Sequence, residues 1–325
     1  MSGERPGTTP RLSVLDQSPV GAGFSPADAL RSSVDLAQAA EEWGYVRHWT
    51  AEHHGSADFA GSAPEVLAAI LLARTRRMRV GTGGVLLPRY PPTKVAEVFG
   101  VLASVFPGRV DMGLGRAGGP APDYPERLEA VRRLVEPDTG PPGGSRGAPR
   151  MWLLGTSVNS ALLAGRLGTD YAFAHFLAPG PATAALTAYR TAYTGRTGRP
   201  APGGVLAVRA VTAESEEHAE ALAQSVLLWR SRKDLGADLP LPTPEEARRH
   251  RWTALETERA VARRGGLVWG TPDQVQERLT ALAVGHGVDE IMVNTLTCDP
   301  ADRLRSYRLL AAAFGAETRL APAGA

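Results

Sequence analysis

Eight short apolar runs, several ending in glycine and separated by amphipathic segments, predict an α/β chain folded as a (β/α)8 barrel of the TIM type. Three observations carry that expectation. The chain has 325 residues, a length that α/β barrels occupy as one domain with insertions. Strand-helix alternation spans residues 11–316 and resumes unchanged after its one compositional break. Residues 78–88 and 109–117 read as buried strands around a helix-period stretch, as expected of a crossover between parallel neighbours. A doubly wound open sheet is also compatible, since alternation alone does not establish closure.

In chain order, residues 1–10 are polar and rich in Gly, Pro and Thr and are expected as a disordered tail, with a second tail at 317–325. The first strand is expected at 11–17. Its helix, 26–43, places Leu30, Val34, Ala37 and Ala40 on one face, opens on Ser25 as N-cap and closes at Gly44. The second strand, 45–51, delivers Glu52, His53 and His54 to its far end, and 64–74 is the second helix. After the third strand, Pro91 and Pro92 pre-set a helix carrying Val95, Val98, Phe99, Leu102 and Val105, which Pro107 and Gly108 stop. The fourth strand, 109–117, ends in glycines. The break, 118–150, contains a helical stretch at 124–135 followed by a Pro/Gly-rich loop. Strands are then expected at 151–154, 171–176 and 205–211, with helices at 158–167, 181–193 and 215–229 between and after them. Residues 231–270 are mostly polar, with one helix near 253–263, and read as part of a lid. A helix at 272–284, the eighth strand at 290–295 and a helix at 301–314 complete the order.

Composition narrows the function classes. With 43% hydrophobic and 22% charged residues the chain has the make-up of a soluble globular protein, and its formal charge of +2 gives no reason to expect nucleic acid or an anionic membrane as partner. Cys298 is the sole cysteine, which excludes an intramolecular disulfide and a cysteine-rich metal site. No apolar run reaches signal-peptide or membrane-spanning character, so a cytoplasmic location is expected.

Ligands of parallel α/β folds bind beyond the carboxyl ends of the strands. Gly113, Gly115 and Gly118 match the dinucleotide fingerprint by spacing, but no helix opens on them, and the reading is rejected. Arg116, at that rim, is either an anion ligand or half of a surface salt bridge. Thr156, Ser157 and Ser160, at the start of a helix just beyond the fifth strand, favour the anion reading, because hydroxyls and free N–H groups converge there. Simple N-capping by Thr156 or Ser157 is the plain alternative, and both can hold. Of His53 and His54 only one can face the mouth, as a proton donor or acceptor; a metal site lacks further ligands. His175 is the weaker candidate, better read as a core histidine. Gly83 and Gly84 are either turn residues or a floor on which a flat ligand lies, and Cys298 reads as inert.

Read together, Ala51 to His54, Val80 to Pro88, Phe106 to Ala117, Trp152 to Ser157, Trp269 to Val275 and Leu304 to Tyr307 resemble the bacterial luciferase-like flavin-dependent monooxygenases, over nearly the whole chain. The resemblance implies a TIM barrel holding reduced FMN at its carboxyl end and using O2 through a C4a-peroxyflavin. It makes His53 the catalytic imidazole, Arg116, Ser157 and Ser160 the phosphate ligands, with Thr156 beside them, and Gly83-Gly84 a cis dipeptide beneath the isoalloxazine. It also implies a separate NAD(P)H:flavin reductase and a homodimer through the second and third helices, for which Ala68, Ala69 and Leu72 would form a face. The expected reaction is hydroxylation or epoxidation of a small organic substrate in natural-product tailoring. A deazaflavin-dependent oxidoreductase is the alternative, disfavoured because its longer tail calls for extra basic residues at the rim; a non-catalytic flavin-binding protein is another. Gly118, Gly119 and Pro120 depart from the family's more polar turn.

Overall fold

A computed structural model describes residues 9–116, 121–135, 147–193 and 203–316. The expected tails and the departure at 118–120 lie essentially outside them. In chain order the elements are β1 (Arg11–Asp16), α1 (Pro26–Glu42), β2 (Arg47–Thr50), α2 (Pro64–Arg74), β3 (Arg79–Thr82), β4 (Val85–Leu86), α3 (Pro92–Val105), β5 (Val110–Gly115), α4 (Tyr124–Val135), β6 (Arg150–Gly155) and α5 (Val158–Leu167). There follow β7 (Asp170–Ala174), α6 (Ala182–Ala192), β8 (Val205–Thr212), α7 (Glu216–Asp234), α8 (Pro244–Arg249), α9 (Ala254–Arg264), β9 (Leu267–Gly270), α10 (Pro272–His286), β10 (Glu290–Asn294) and α11 (Pro300–Ala313).

Strands β10, β1, β2, β3, β5, β6, β7 and β8 pair in that order, all parallel, and β8 pairs back to β10. The sheet is a closed eight-stranded barrel, so the open doubly wound alternative is excluded. Both strand faces are covered, which is why β5 and β8 are buried along their whole length and read as near-continuous apolar runs. Local signals behave as the sequence indicates. Ser25 caps α1 in a reciprocal box with Asp28, and Gly44 takes the left-handed conformation (φ 87°) that ends the connection to β2.

Three elements depart from the sequence reading. The third strand is broken into β3 and β4 at Gly83-Gly84, and β4 continues the ladder on β5. Residues 231–270 are far more ordered in secondary structure than a polar lid suggests: they complete α7, form α8 and α9, and end in β9, which pairs with the outer half of β8. Strand β9 has only four residues and a single partner, too little for a periodic signal. Finally, Ala68 and Leu72 are buried against the chain's own core, so they do not form an outer face; Val66 and Ile70 are the exposed large apolar residues of α2.

Inside the barrel, Leu15, Trp49, Ala51, Trp152, Ala172, Val205, Ala207 and Met292 form a distinct apolar cluster, with Trp49 and Trp152 edge to face at 5.0 Å. Beneath it, at the amino ends of the strands, Arg47 is buried between two carboxylates. Its Nε donates to Glu290 Oε1 at 2.5 Å and its Nη1 to Asp111 Oδ2 at 2.5 Å, while Trp49 Nε1 donates to Asp111 at 3.0 Å. Arg79 adds a second guanidinium to Asp111. Together they hold the Asp111 carboxyl below the ordinary range against the opposing cost of burial. Arg47→Met leaves two buried carboxylates under-compensated and is expected to cost about 3–5 kcal/mol of stability, measured by urea unfolding. A loss below about 1 kcal/mol would show that the ion network is not what holds the strand bases together.

Candidate active site

At the carboxyl ends of the strands lies a cavity of about 520 Å3, lined among others by Ala51, Glu52, His53, Gly83, Gly84, Gly115 and Arg116. It adjoins a second hollow of about 590 Å3, with which it shares Arg116, Leu154, Gly155 and Thr156. The floor is made by the absence of side chains. A Cβ on Gly83 would stand 2.7 Å from Leu15 Cδ1 and 3.1 Å from Trp49 Cβ; one on Gly84 would stand 2.7 Å from the Gly113 carbonyl oxygen. The peptide joining them is cis.

His53 follows β2 and is held there by its own N–H, which donates to Gly61 O at 2.7 Å. Its ring stacks on Phe59 at 4.3 Å and its Nε2 lies 3.1 Å from Gln17 Nε2. The tautomer follows from the next link. Arg209 Nη2 can only donate, and it meets Gln17 Oε1 at 3.3 Å, so Gln17 turns its N–H to His53. His53 Nε2 is therefore an acceptor and the proton of the neutral ring sits on Nδ1. That Nδ1 is buried with no partner among the described residues, a donor left for a ligand. Burial, with Lys233 nearby, pulls the imidazole down to about 4 despite opposing carboxylates at Asp58 and Glu52.

His54, beyond the end of β2 at Thr50, instead meets Glu52 Oε1. Glu52 is buried and also accepts from Tyr90 OH at 2.8 Å and from Leu86 N–H at 2.7 Å. It thereby clamps the segment just after the glycine pair to the histidine loop.

The rim residues sit where α5 begins. Ser157 is the N-cap and forms a reciprocal box with Ser160, whose Oγ also lies 3.0 Å from Tyr171 OH. The capping reading thus holds, while both hydroxyls still line the second hollow beside Thr156 and Arg116. Arg166, from the last turn of α5, lines the same hollow; the sequence reading, which saw no further basic residue at the rim, is corrected there. The structure accordingly brings His53, Gly83, Gly84, Arg116, Thr156, Ser157 and Ser160 around two connected hollows.

His175 does not line either hollow; it packs edge-on to His286 at 5.7 Å, with burial pushing it to about 4. Cys298 is buried and its thiol is pushed up to about 11, which leaves it protonated. No group of three potential metal ligands occurs among the described residues. Sequence reasoning missed Gln17, Arg209, Trp229 and Lys233. Each comes from a different part of the chain or from a helix read only as packing, so no local motif marked them.

A glycine floor, an orphan imidazole N–H and a hydroxyl- and guanidinium-bearing helix N-terminus fit a flat heteroaromatic with an anionic tail. Comparison with known proteins bears on the same point. Residues 11–127 match the family model described as luciferase-like monooxygenase. A luciferase-like monooxygenase of Escherichia coli (strain K12) is 33% identical over 92% of this chain and 95% of its own length. This chain belongs to the luciferase-like monooxygenases. The uncharacterized protein YwcH of Bacillus subtilis (strain 168) is 39% identical over 93% of this chain and 98% of its own. Among solved structures, apo-MsnO8 superposes with a TM-score of 0.83 at 38% identity, covering 94% of this chain and 98% of its own. An F420-dependent secondary alcohol dehydrogenase, at 14% identity, TM-score 0.66 and coverage of 94% and 99%, shares the fold alone. Membership of the luciferase-like family makes the chain a flavin-dependent oxidoreductase.

Because the folded His53 is depressed, its neutral form is favoured by folding, and that contribution is lost as pH falls from about 6.5 toward about 4. In an NMR titration its ring resonances should stay at neutral-form positions from pH 8 to pH 6. A midpoint near 6.5 would show that Gln17 and Phe59 do not desolvate it.

Proposed function

We propose that this chain is an FMN-dependent monooxygenase that oxygenates a small organic substrate with O2. The observation that carries the reading is the convergence of His53 and the Gly83-Gly84 floor with the Arg116, Thr156, Ser157 and Ser160 rim on two connected hollows. In this reading Gly83 and Gly84 let the isoalloxazine approach the backbone, and the rim hydroxyls, helix N–H groups and Arg116 guanidinium hold the phosphate. Bound reduced FMN supplies the electrons that activate O2, one oxygen atom reaching the substrate and the other leaving as water. His53 holds the proton at Nδ1 and accepts at Nε2, a neutral imidazole able to move a proton beside the reacting oxygen. Phe59, Phe176 and Trp229 form the wall that keeps bulk water away, which suppresses wasteful release of peroxide.

The apolar wall suits a carbon skeleton, and we assign hydroxylation or epoxidation in natural-product tailoring, in the cytoplasm. Reduced FMN is to come from a separate NAD(P)H:flavin reductase. A homodimer would use the exposed Val66 and Ile70 of α2 with Val101 and Val105 of α3. One observation favours a second reading: Arg166 lines the same hollow as Arg116 and gives it further positive charge for a longer anionic tail, as in a deazaflavin-dependent oxidoreductase.

Anaerobic titration with reduced FMN or reduced F420, followed by mixing with oxygenated buffer, separates the two. Tight FMN binding with delayed re-oxidation and little peroxide release is the expected result; preference for F420, with no oxygen dependence, selects the second reading. Binding with immediate peroxide release points to a carrier, and no flavin binding removes both. Arg116→Ala deletes a charge-assisted contact of about 1.5–3 kcal/mol and should weaken FMN binding about 10- to 100-fold. His53→Ala should keep FMN affinity while raising peroxide yield per FMN oxidised; unchanged coupling would remove His53 from the proton path.

A further inference from the structure

Arg209, in the outer half of β8, is only 6% exposed and lines the cavity between Phe176 and Trp229, its guanidinium carbon 4.8 Å and 5.5 Å from their ring centroids. Its hydrogen bonds go to neutral amides: Nε to Asn294 Oδ1 at 3.0 Å and Nη2 to Gln17 Oε1 at 3.3 Å. Among the described residues no carboxylate forms an ion pair with it; Asp58, the carboxylate that acts on it from a distance, is held by Lys233 and Trp229 Nε1. The contrast within the same barrel is direct, since buried Arg47 has Glu290 and Asp111, and buried Arg303 has Asp16. A guanidinium taken out of water without a counter-charge is costly, and proteins keep one where a ligand completes it.

The surroundings add positive charge. Arg230 and Lys233 of α7 line the same end of the cavity, and Arg263 of α9 borders it from behind. Arg230 and Arg263 share Asp234, and Lys233 pairs with Asp58. Lys233 also reaches Asp238 at 4.0 Å, so three carboxylates serve Arg230, Lys233 and Arg263 and none is in ion-pair contact with Arg209. Glu52, the acid among the described lining residues of the cavity, is committed to Leu86 N–H, Tyr90 OH and His54. The flavin-phosphate rim at Arg116, Thr156 and Ser157 is built from different elements, β5 and α5 rather than β8 and α7.

We propose that Arg209 receives an anionic group of the substrate, so that this enzyme oxygenates an organic acid whose apolar body rests on Phe59, Phe176 and Trp229 and whose carboxylate closes the unpaired charge. The proposal rests on the monooxygenase reading above. The other source of the same chemistry is the anionic ring of reduced flavin, and the test separates the two.

The probes are 4-phenylbutyrate and its primary amide, titrated calorimetrically into the full-length chain, alone and saturated with reduced FMN under anaerobic conditions. The acid should bind about tenfold or more tightly than the amide, with FMN present as well as without it. Arg209→Gln should abolish the preference and Arg209→Lys retain part of it, each checked for native circular dichroism. Should Arg209→Gln not fold, wild type and Arg209→Lys decide. Equal or undetectable binding of both probes, or a preference that survives Arg209→Gln, overturns the proposal. Acid binding that disappears when reduced FMN is bound assigns Arg209 to the flavin and also overturns it. Failure of FMN to bind while the acid preference persists would instead remove the monooxygenase reading and leave the anion corner standing.

Discussion

The barrel depends on one buried cation. Arg47 joins β2, β5 and β10 from within, between Glu290 and Asp111, and its guanidinium lies 4.7 Å from the centroid of Trp152. Below the layer of Trp49 and Trp152, the amino end of this barrel is filled by a charged cluster and not by the branched aliphatic side chains common in such barrels. The charged base answers this geometry, since each member has its partner and the indole N–H of Trp49 takes up a remaining carboxylate lone pair. With the base tied, the strands' carboxyl ends are free to carry glycine, loops and an open cavity. Stability is concentrated at one end of the barrel and chemistry at the other.

Much of this was legible in the chain. The strand-helix alternation, the caps at Ser25 and Gly44, and the placing of His53, Arg116 and the α5 hydroxyls at the carboxyl rim follow from apolar period, glycine placement and short motifs, whereas closure as a barrel is implied by the family resemblance and not by alternation. What was not legible has physical causes. Strand β9 has four residues and one partner, so it is defined by β8 and not by its own pattern. Ala68 and Leu72 lie on a helix apolar nearly all round, where sequence gives no way to choose the inward face. Gln17, Arg209 and Asn294 form one hydrogen-bonded line only because β1, β8 and β10 are adjacent after closure, a relation across 277 positions from Gln17 to Asn294.

That line links the two functions of the cavity. Arg209 orients Gln17, Gln17 fixes the tautomer of His53, and Asn294 returns the line to the backbone at Leu15 O, 3.1 Å away. The residue that lacks an ion-pair partner is thus the one that orients Gln17 toward the imidazole. On the proposed roles, recognition at Arg209 and proton handling at His53 would be joined through Gln17. Capping has the same double character at the rim, where Ser157 and Ser160 complete a helix and face a hollow at once.

Strand β8 changes partners along one edge. There Val205 to Ala207 pair with β7 and Arg209 to Thr212 with Leu267 to Gly270 of β9, while on the other edge Leu206 to Arg209 pair with Ile291 to Asn294 of β10. Arg209 stands at the hand-over. The consequence is a division of labour in how such a chain can diversify: the module comprising α7, α8, α9 and β9 hangs on a stretch of backbone that barrel closure does not use. A change in its length or side chains would bear on the Arg209 end of the cavity while leaving the pairing of the eight-strand ring in place.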